Sequence, residues 1–285
     1  MTSQTGVRAP ADRSLSAKVP EITVLFWVIK ILTTGMGETF SDFLVTHFVP
    51  EIAVGLAGLV LVISLVAQFR ASRYRVWTYW SAVVMVSIFG TMVADITSFI
   101  IGIPLPAATL VFAVILAAIF ALWYASEKTL SVHSITTRRR EGFYWATVMA
   151  TFALGTVAGD LTAERLHLGY LTSAVVFAIA IAIPAVAHRW GGLGVVTAFW
   201  SAYVVTRPLG ASITDWLASS RADGLGLGTG WVTLGATIAI LALLAILATQ
   251  ITPGADRASA DQPAPHAGAT NPDGDVARRS PASSA

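Results

Sequence analysis

The stretch Phe143–Glu164, FYWATVMATFALGTVAGDLTAE, decides the fold, because its skeleton occurs four times in the chain. Within it Trp145 is followed after nine residues by Gly155 and after four more by Asp160. The same spacing gives Trp27–Gly37–Asp42, Trp80–Gly90–Asp95 and Trp200–Gly210–Asp215. Four matches among residue types this scarce mean internal duplication. The copies begin 53, 65 and 55 residues apart, which leaves room for two membrane crossings in each unit.

Outward from that skeleton the chain is apolar. Of its 285 residues 55% are hydrophobic and only 12% are charged, a composition suited to a bilayer. Eight apolar stretches are expected to cross it, near 22–46, 50–69, 76–101, 105–125, 142–163, 170–187, 194–218 and 229–250. The expected fold is an all-α polytopic membrane protein, eight transmembrane helices arranged as four helical hairpins. Two crossings return the chain to its starting side, so the units share one orientation and form parallel repeats about the membrane normal. They span about 20–72, 73–126, 140–190 and 191–251, within a membrane domain over 20–251. The first stretch lacks a small-residue cleavage site and carries a copy of the repeat, so it reads as a span rather than a signal peptide. Residues 1–19 and 252–285 are polar or rich in Ala, Pro, Ser and Gly, and are expected to be disordered tails.

The formal net charge of +2 belongs to topology rather than to nucleic acid, for which no binding is expected. Arg70, Arg73, Arg75, Lys128, Arg138, Arg139, Arg140 and Arg189 fall in alternate connections, and Lys18 precedes the first span. The opposite connections hold only Arg165 and Arg221. That asymmetry places both termini in the cytoplasm. The expected location is the plasma membrane, the inner one in a Gram-negative cell, with membrane lipid as a partner. With no cysteine, thiolate metal sites and disulfides are excluded.

The segments FYWATVMATFALGTVAGDLTAE and AFWSAYVVTRPLGASITDWL resemble a family of bacterial integral membrane proteins built from four tandem copies of a repeat of unknown function. Each copy there has two transmembrane segments and a characteristic Trp, matched here by Trp27, Trp80, Trp145 and Trp200. The resemblance covers roughly residues 20–250 and implies the architecture, but no activity.

Candidate chemistry lies on the odd-numbered helices. Side chains four apart share a helix face. Stepping back from each Asp gives Asp42, Glu38, Thr34 and Lys30 in the first; Asp95, Thr91 and Ser87 in the third; Asp160, Thr156 and Phe152 in the fifth; Asp215, Ala211 and Arg207 in the seventh. Pro208 is expected to kink the last of these. An ionised side chain at the bilayer centre costs about 2.5–3.5 kcal/mol, so such groups need partners, water or an ion. If the stripes converge, Asp42, Asp95, Asp160, Asp215 and Glu38 bind or relay a cation. Thr34, Ser87, Thr91 and Thr156 then line its path, and Lys30 and Arg207 gate it or balance its charge. Oxygen ligands without thiolate suit hard cations such as Mn²⁺ or Mg²⁺, or protons.

The expected function is therefore a transporter or channel-like carrier for a small cation, a divalent metal preferred, with proton coupling as an option. The alternative is a scaffold or sensor whose Asp residues bond across helices and fix the bundle. The Trp residues are expected to anchor at the membrane interface, and the Gly residues to permit close helix packing. His47 and His167 are expected in solvated connections, and snorkelling to the cytoplasmic interface is the alternative reading of Lys30. No Walker motif, nucleophile elbow, zincin helix or dinucleotide fingerprint occurs, so neither an enzyme nor a cofactor is expected.

Overall fold

The two helices of each unit differ in polarity, and the fold sorts them accordingly. The computed structural model describes residues 17–251. The long helices are α1 (Val24–His47), α2 (Pro50–Arg70), α3 (Val76–Asp95), α4 (Leu105–Glu127), α5 (Arg138–Asp160), α6 (Gly169–Trp190), α7 (Val195–Ala218) and α8 (Thr229–Ile251), with no strand among the described residues. Thr23 and Thr137 start α1 and α5 by accepting the amides of Phe26 and Arg140. The Thr137 cap begins α5 four residues before the expected span. The α3 and α5 rods continue past their Asp as wider π-type turns, Ile96–Ile100 and Leu161–Arg165.

Six of the helices, α2, α3, α4, α5, α6 and α8, are long and apolar enough to cross a bilayer, which marks a multi-pass membrane protein. The sequence led us to expect eight crossings. The other two helices, α1 and α7, are each 24 residues long but carry Lys30, Glu38 and Asp42, and Arg207 and Asp215.

Helices α1, α3, α5 and α7 form a closed ring in which α1 packs on α3, α3 on α5, α5 on α7 and α7 on α1. The outer helices bury only narrow stripes at helical spacing, such as Ala108, Phe112, Leu116 and Trp123 of α4. Each outer helix lies on the inner helix of the following unit: α2 on α3, α4 on α5 and α6 on α7. The last returns to the first, for Thr233 of α8 donates to Thr39 of α1 at 2.9 Å and Gly230 faces the Phe43 ring. The four units therefore interlock.

Two parts of the repeat skeleton build this ring. A Cβ on Gly37 would strike Ser87, one on Gly90 would strike Phe152, one on Gly155 would strike Arg207 and one on Gly210 would strike Thr34. Each repeat Gly thus admits the next ring helix at the same register, as expected. Eleven residues earlier the aromatic before each Trp packs on the Trp of the next helix. Ring centroids are 5.7 Å apart for Phe26–Trp80, 5.6 Å for Tyr79–Trp145, 6.2 Å for Tyr144–Trp200 and 5.7 Å for Phe199–Trp27. Trp80, Trp145 and Trp200 are buried, which corrects the expectation of interfacial anchors. They start inner helices, and most of the exposed apolar surface belongs to the outer ones.

Residues 1–16 and 252–285 of the expected tails lie outside the described residues. Residues 17–19 correct the tail expectation, since Ala17, Lys18 and Val19 are buried. Lys18 pairs with Glu141 at 2.7 Å and donates to the Phe69 carbonyl at 3.2 Å. These partners are far along the chain, so local composition gave no sign of them.

Candidate functional site

At the end of the ring away from the Trp belt, Asp42, Asp95, Asp160 and Asp215 line one cavity of about 260 Å³ with Glu38. Glu164, Tyr170 and Ser219 contribute to its wall. The spacing that put one Asp on each inner helix therefore brings all four together. They are half-buried, and no hydrogen bond or ion pair engages their carboxylates among the described residues. Two of the four helices widen into π-type turns directly after their Asp. Among the described residues no three acidic or histidine side chains come close enough to grip a bare metal ion.

One turn inward the four helices present Glu38, Thr91, Thr156 and Ala211 at one register, each directly after its repeat Gly. The next turn presents Thr34, Ser87, Phe152 and Arg207. Arg207 reaches across to tie these levels together. Its Nη2 donates to Glu38 Oε2, to Thr91 Oγ1 and, at 2.6 Å, to Thr156 Oγ1, while Nη1 donates to the Thr34 carbonyl at 3.0 Å. Glu38 and Arg207 are both buried. Such a pair is strongly destabilised when one partner is removed, because the other charge stays behind in the dry interior. All four ring helices meet at this knot, which closes the floor of the cavity.

The hydroxyls expected along a path are buried and bonded. Thr34 donates to the Lys30 carbonyl at 2.6 Å, Ser87 to the Thr34 carbonyl at 3.3 Å, Thr91 to Glu38 at 3.1 Å and Thr156 to the Phe152 carbonyl at 3.3 Å. None of the four lines the acidic cavity. Lys30 does not snorkel. It is 1% exposed, donates to Thr34 Oγ1 at 3.2 Å, and lies over the Phe152 ring at 4.1 Å and the Tyr203 ring at 4.4 Å. The Arg207 guanidinium lies 5.3 Å from the same Phe152 centroid, so the two cations are within about 10 Å of one another. At that separation, with an effective dielectric near 20, they repel by about 1.7 kcal/mol.

Sequence reasoning missed Tyr170 and Glu164 on the cavity wall and the platforms made by Phe152 and Tyr203. Phe152 sat on the stripe below Asp160, and its aromatic face was the available signal. His47 stacks on Phe43 at 4.2 Å and His167 is exposed; neither lines the acidic cavity, in keeping with solvated positions. A larger, mostly apolar cavity of about 700 Å³ lies at the Trp end and includes none of the ring carboxylates.

The family described as Repeat of Unknown Function (DUF347) matches residues 25–74, 78–129, 143–191 and 198–250. The chain belongs to that family. No curated protein and no solved structure matches it. Each DUF347 unit coincides with one hairpin, from α1–α2 to α7–α8. Each unit therefore supplies one ring helix and its repeat Asp to the cavity, the first adding Glu38 and the third Glu164, while the Glu38–Arg207 tie joins the first unit to the fourth.

Proposed function

We propose that the protein is a membrane carrier for a small hydrated cation, which enters through the four-Asp vestibule and is held at its floor by the Glu38–Arg207 tie. The observation that carries this reading is the convergence of four unpaired carboxylates, one from each repeat, on one cavity. The cavity has room for an ion together with several waters. Mg²⁺-like ions fit such a place because they give up water reluctantly and are held largely through it. The scaffold alternative requires the Asp residues to be bonded across helices, and among the described residues none of their carboxylates is.

All eight helices cross the membrane in this reading. The α1 and α7 rods are about 36 Å long and sit in one ring with α3 and α5, so their charges face protein rather than lipid. The gathering of basic residues at the Trp end supports an orientation with that end and both termini in the cytoplasm. The vestibule then opens outward, in a plasma or inner membrane. Arg207 is the gate: it must release Glu38 before an ion can descend.

Cation uptake by the purified protein in sealed vesicles tests the assignment, with Mn²⁺ and Mg²⁺ as probes. Asp42→Asn and Asp160→Asn are each expected to lower uptake at least about tenfold, equivalent to about 1.4 kcal/mol, with insertion unchanged. Wild-type uptake in both variants refutes the carrier assignment.

A further inference from the structure

Lys30 has a cation's surroundings but no counter-ion. Its Nζ has the Thr34 hydroxyl and two ring faces, and no carboxylate lies within ion-pair reach among the described residues. Thr34 spends its own proton on the Lys30 carbonyl, so its lone pairs accept from Nζ whether Lys30 is an ammonium or an amine. The ionisable groups of the packed elements are few. Helix α7 presents Arg207 and Tyr203. Tyr79 of α3 and Tyr144 of α5 are bonded to each other at the register of the aromatic belt. Glu38 is two turns up on the same helix. In α2 the ionisable residues are Glu51 and Arg70, near its two ends, and α8 has none.

Glu38 is already committed to Arg207. A cation that descends from the vestibule takes Glu38 only by displacing that guanidinium. Three positively charged groups, the cation, Arg207 and Lys30, then share one carboxylate in a dry interior, where repulsion is poorly screened. A guanidinium does not give up its proton in proteins, and the cation keeps its charge. Lys30 is the one member that can become neutral.

We propose that Lys30 is the coupling site of a cation–proton exchange. Arrival of the cation at Glu38 expels one proton from Lys30 Nζ to vestibule water and leaves the neutral amine. Departure of the cation on the other side lets a proton return to Nζ there, so the two species cross in opposite directions. Only an N–H bond is broken and remade. This proposal rests on the carrier reading and adds its coupling ion.

The test uses the full-length protein in sealed vesicles with a pH dye trapped inside, and Mn²⁺, Mg²⁺ and Na⁺ added separately outside. Wild type is expected to lose about one lumenal proton for each cation that enters, as the exchange stoichiometry requires. Lys30→Met is expected to lose that proton movement. Lys30→Arg keeps a charge that cannot leave, so it is expected to bind the cation by calorimetry yet show no uptake. If the Met variant fails to fold, the Arg variant decides alone. Wild-type uptake without proton movement, or wild-type exchange by Lys30→Arg, overturns the coupling role and leaves the carrier reading standing. Absence of both binding and uptake for all three ions in wild type overturns the carrier reading, and this proposal with it.

Discussion

Glu38 and Arg207 break the repeat at two matched places. At the register where α1 has Glu38 the other ring helices have Thr91, Thr156 and Ala211; where α7 has Arg207 they have Thr34, Ser87 and Phe152. An acid stands on one helix and its base on the next helix round the ring, so neither departure from the repeat is tolerable alone. Replacing Glu38→Thr, the residue type of the second and third units, strands the guanidinium. The expected loss is about 3–5 kcal/mol of stability. The double variant Glu38→Thr with Arg207→Ser removes both charges and is expected to recover most of that loss. Thermal unfolding in detergent reads both outcomes, and a double variant no better than the single one contradicts the pairing.

Between elements, the repeat Gly governs how closely ring helices approach. A methyl on Gly155 would overlap the Arg207 side chain and lie 3.0 Å from Pro208 Cδ, so α5 and α7 would have to separate. Gly155→Ala is therefore expected to cost about 1–3 kcal/mol, the usual range for overpacking, and to loosen the Arg207 knot. Gly55 on α2 has nothing within 4 Å of an added Cβ. Gly55→Ala is expected to change stability by less than about 1 kcal/mol, and in the favourable direction. Comparing the unfolding temperatures of the two variants checks the contrast. The same close approach explains why the spacing was legible: a Gly and an Asp five residues apart must keep their separation for both to serve one ring. The Trp was misjudged because burial depends on which helices lie outside it. Spacing along a single helix carries no record of that.

At the scale of the whole molecule, the ring is closed by contacts between its two ends in sequence. Thr39 and Thr233 meet through their hydroxyls at 2.9 Å, and the chain contains no cysteine. Thr39→Cys combined with Thr233→Cys is expected to form a disulfide under mild oxidation, because side chains that touch at this range suit its geometry. Either single variant should not form one within the chain. Altered gel mobility reversed by reductant reports the bond, and failure to form it counts against α8 returning onto α1. Closure also explains the function proposed for the vestibule. Four carboxylates from an open arc would face lipid on one side, whereas a closed ring turns all of them onto one cavity.

The sequence by itself determined the number of units, the hairpin in each, and the Asp that each inner helix carries at a common depth. These follow from periodicity within single segments, where fixed rise and rotation per residue convert spacing into position. Only the tertiary structure decided that the outer helices sit on the following unit, that Trp80, Trp145 and Trp200 are buried, that Arg207 takes Glu38, and that Lys30 is left among rings. Those outcomes depend on how separate helices are rotated and spaced against one another. Such contacts join residues on separate helices, more than a hundred positions apart for Arg207–Glu38 and Lys30–Tyr203, and no local pattern encodes them.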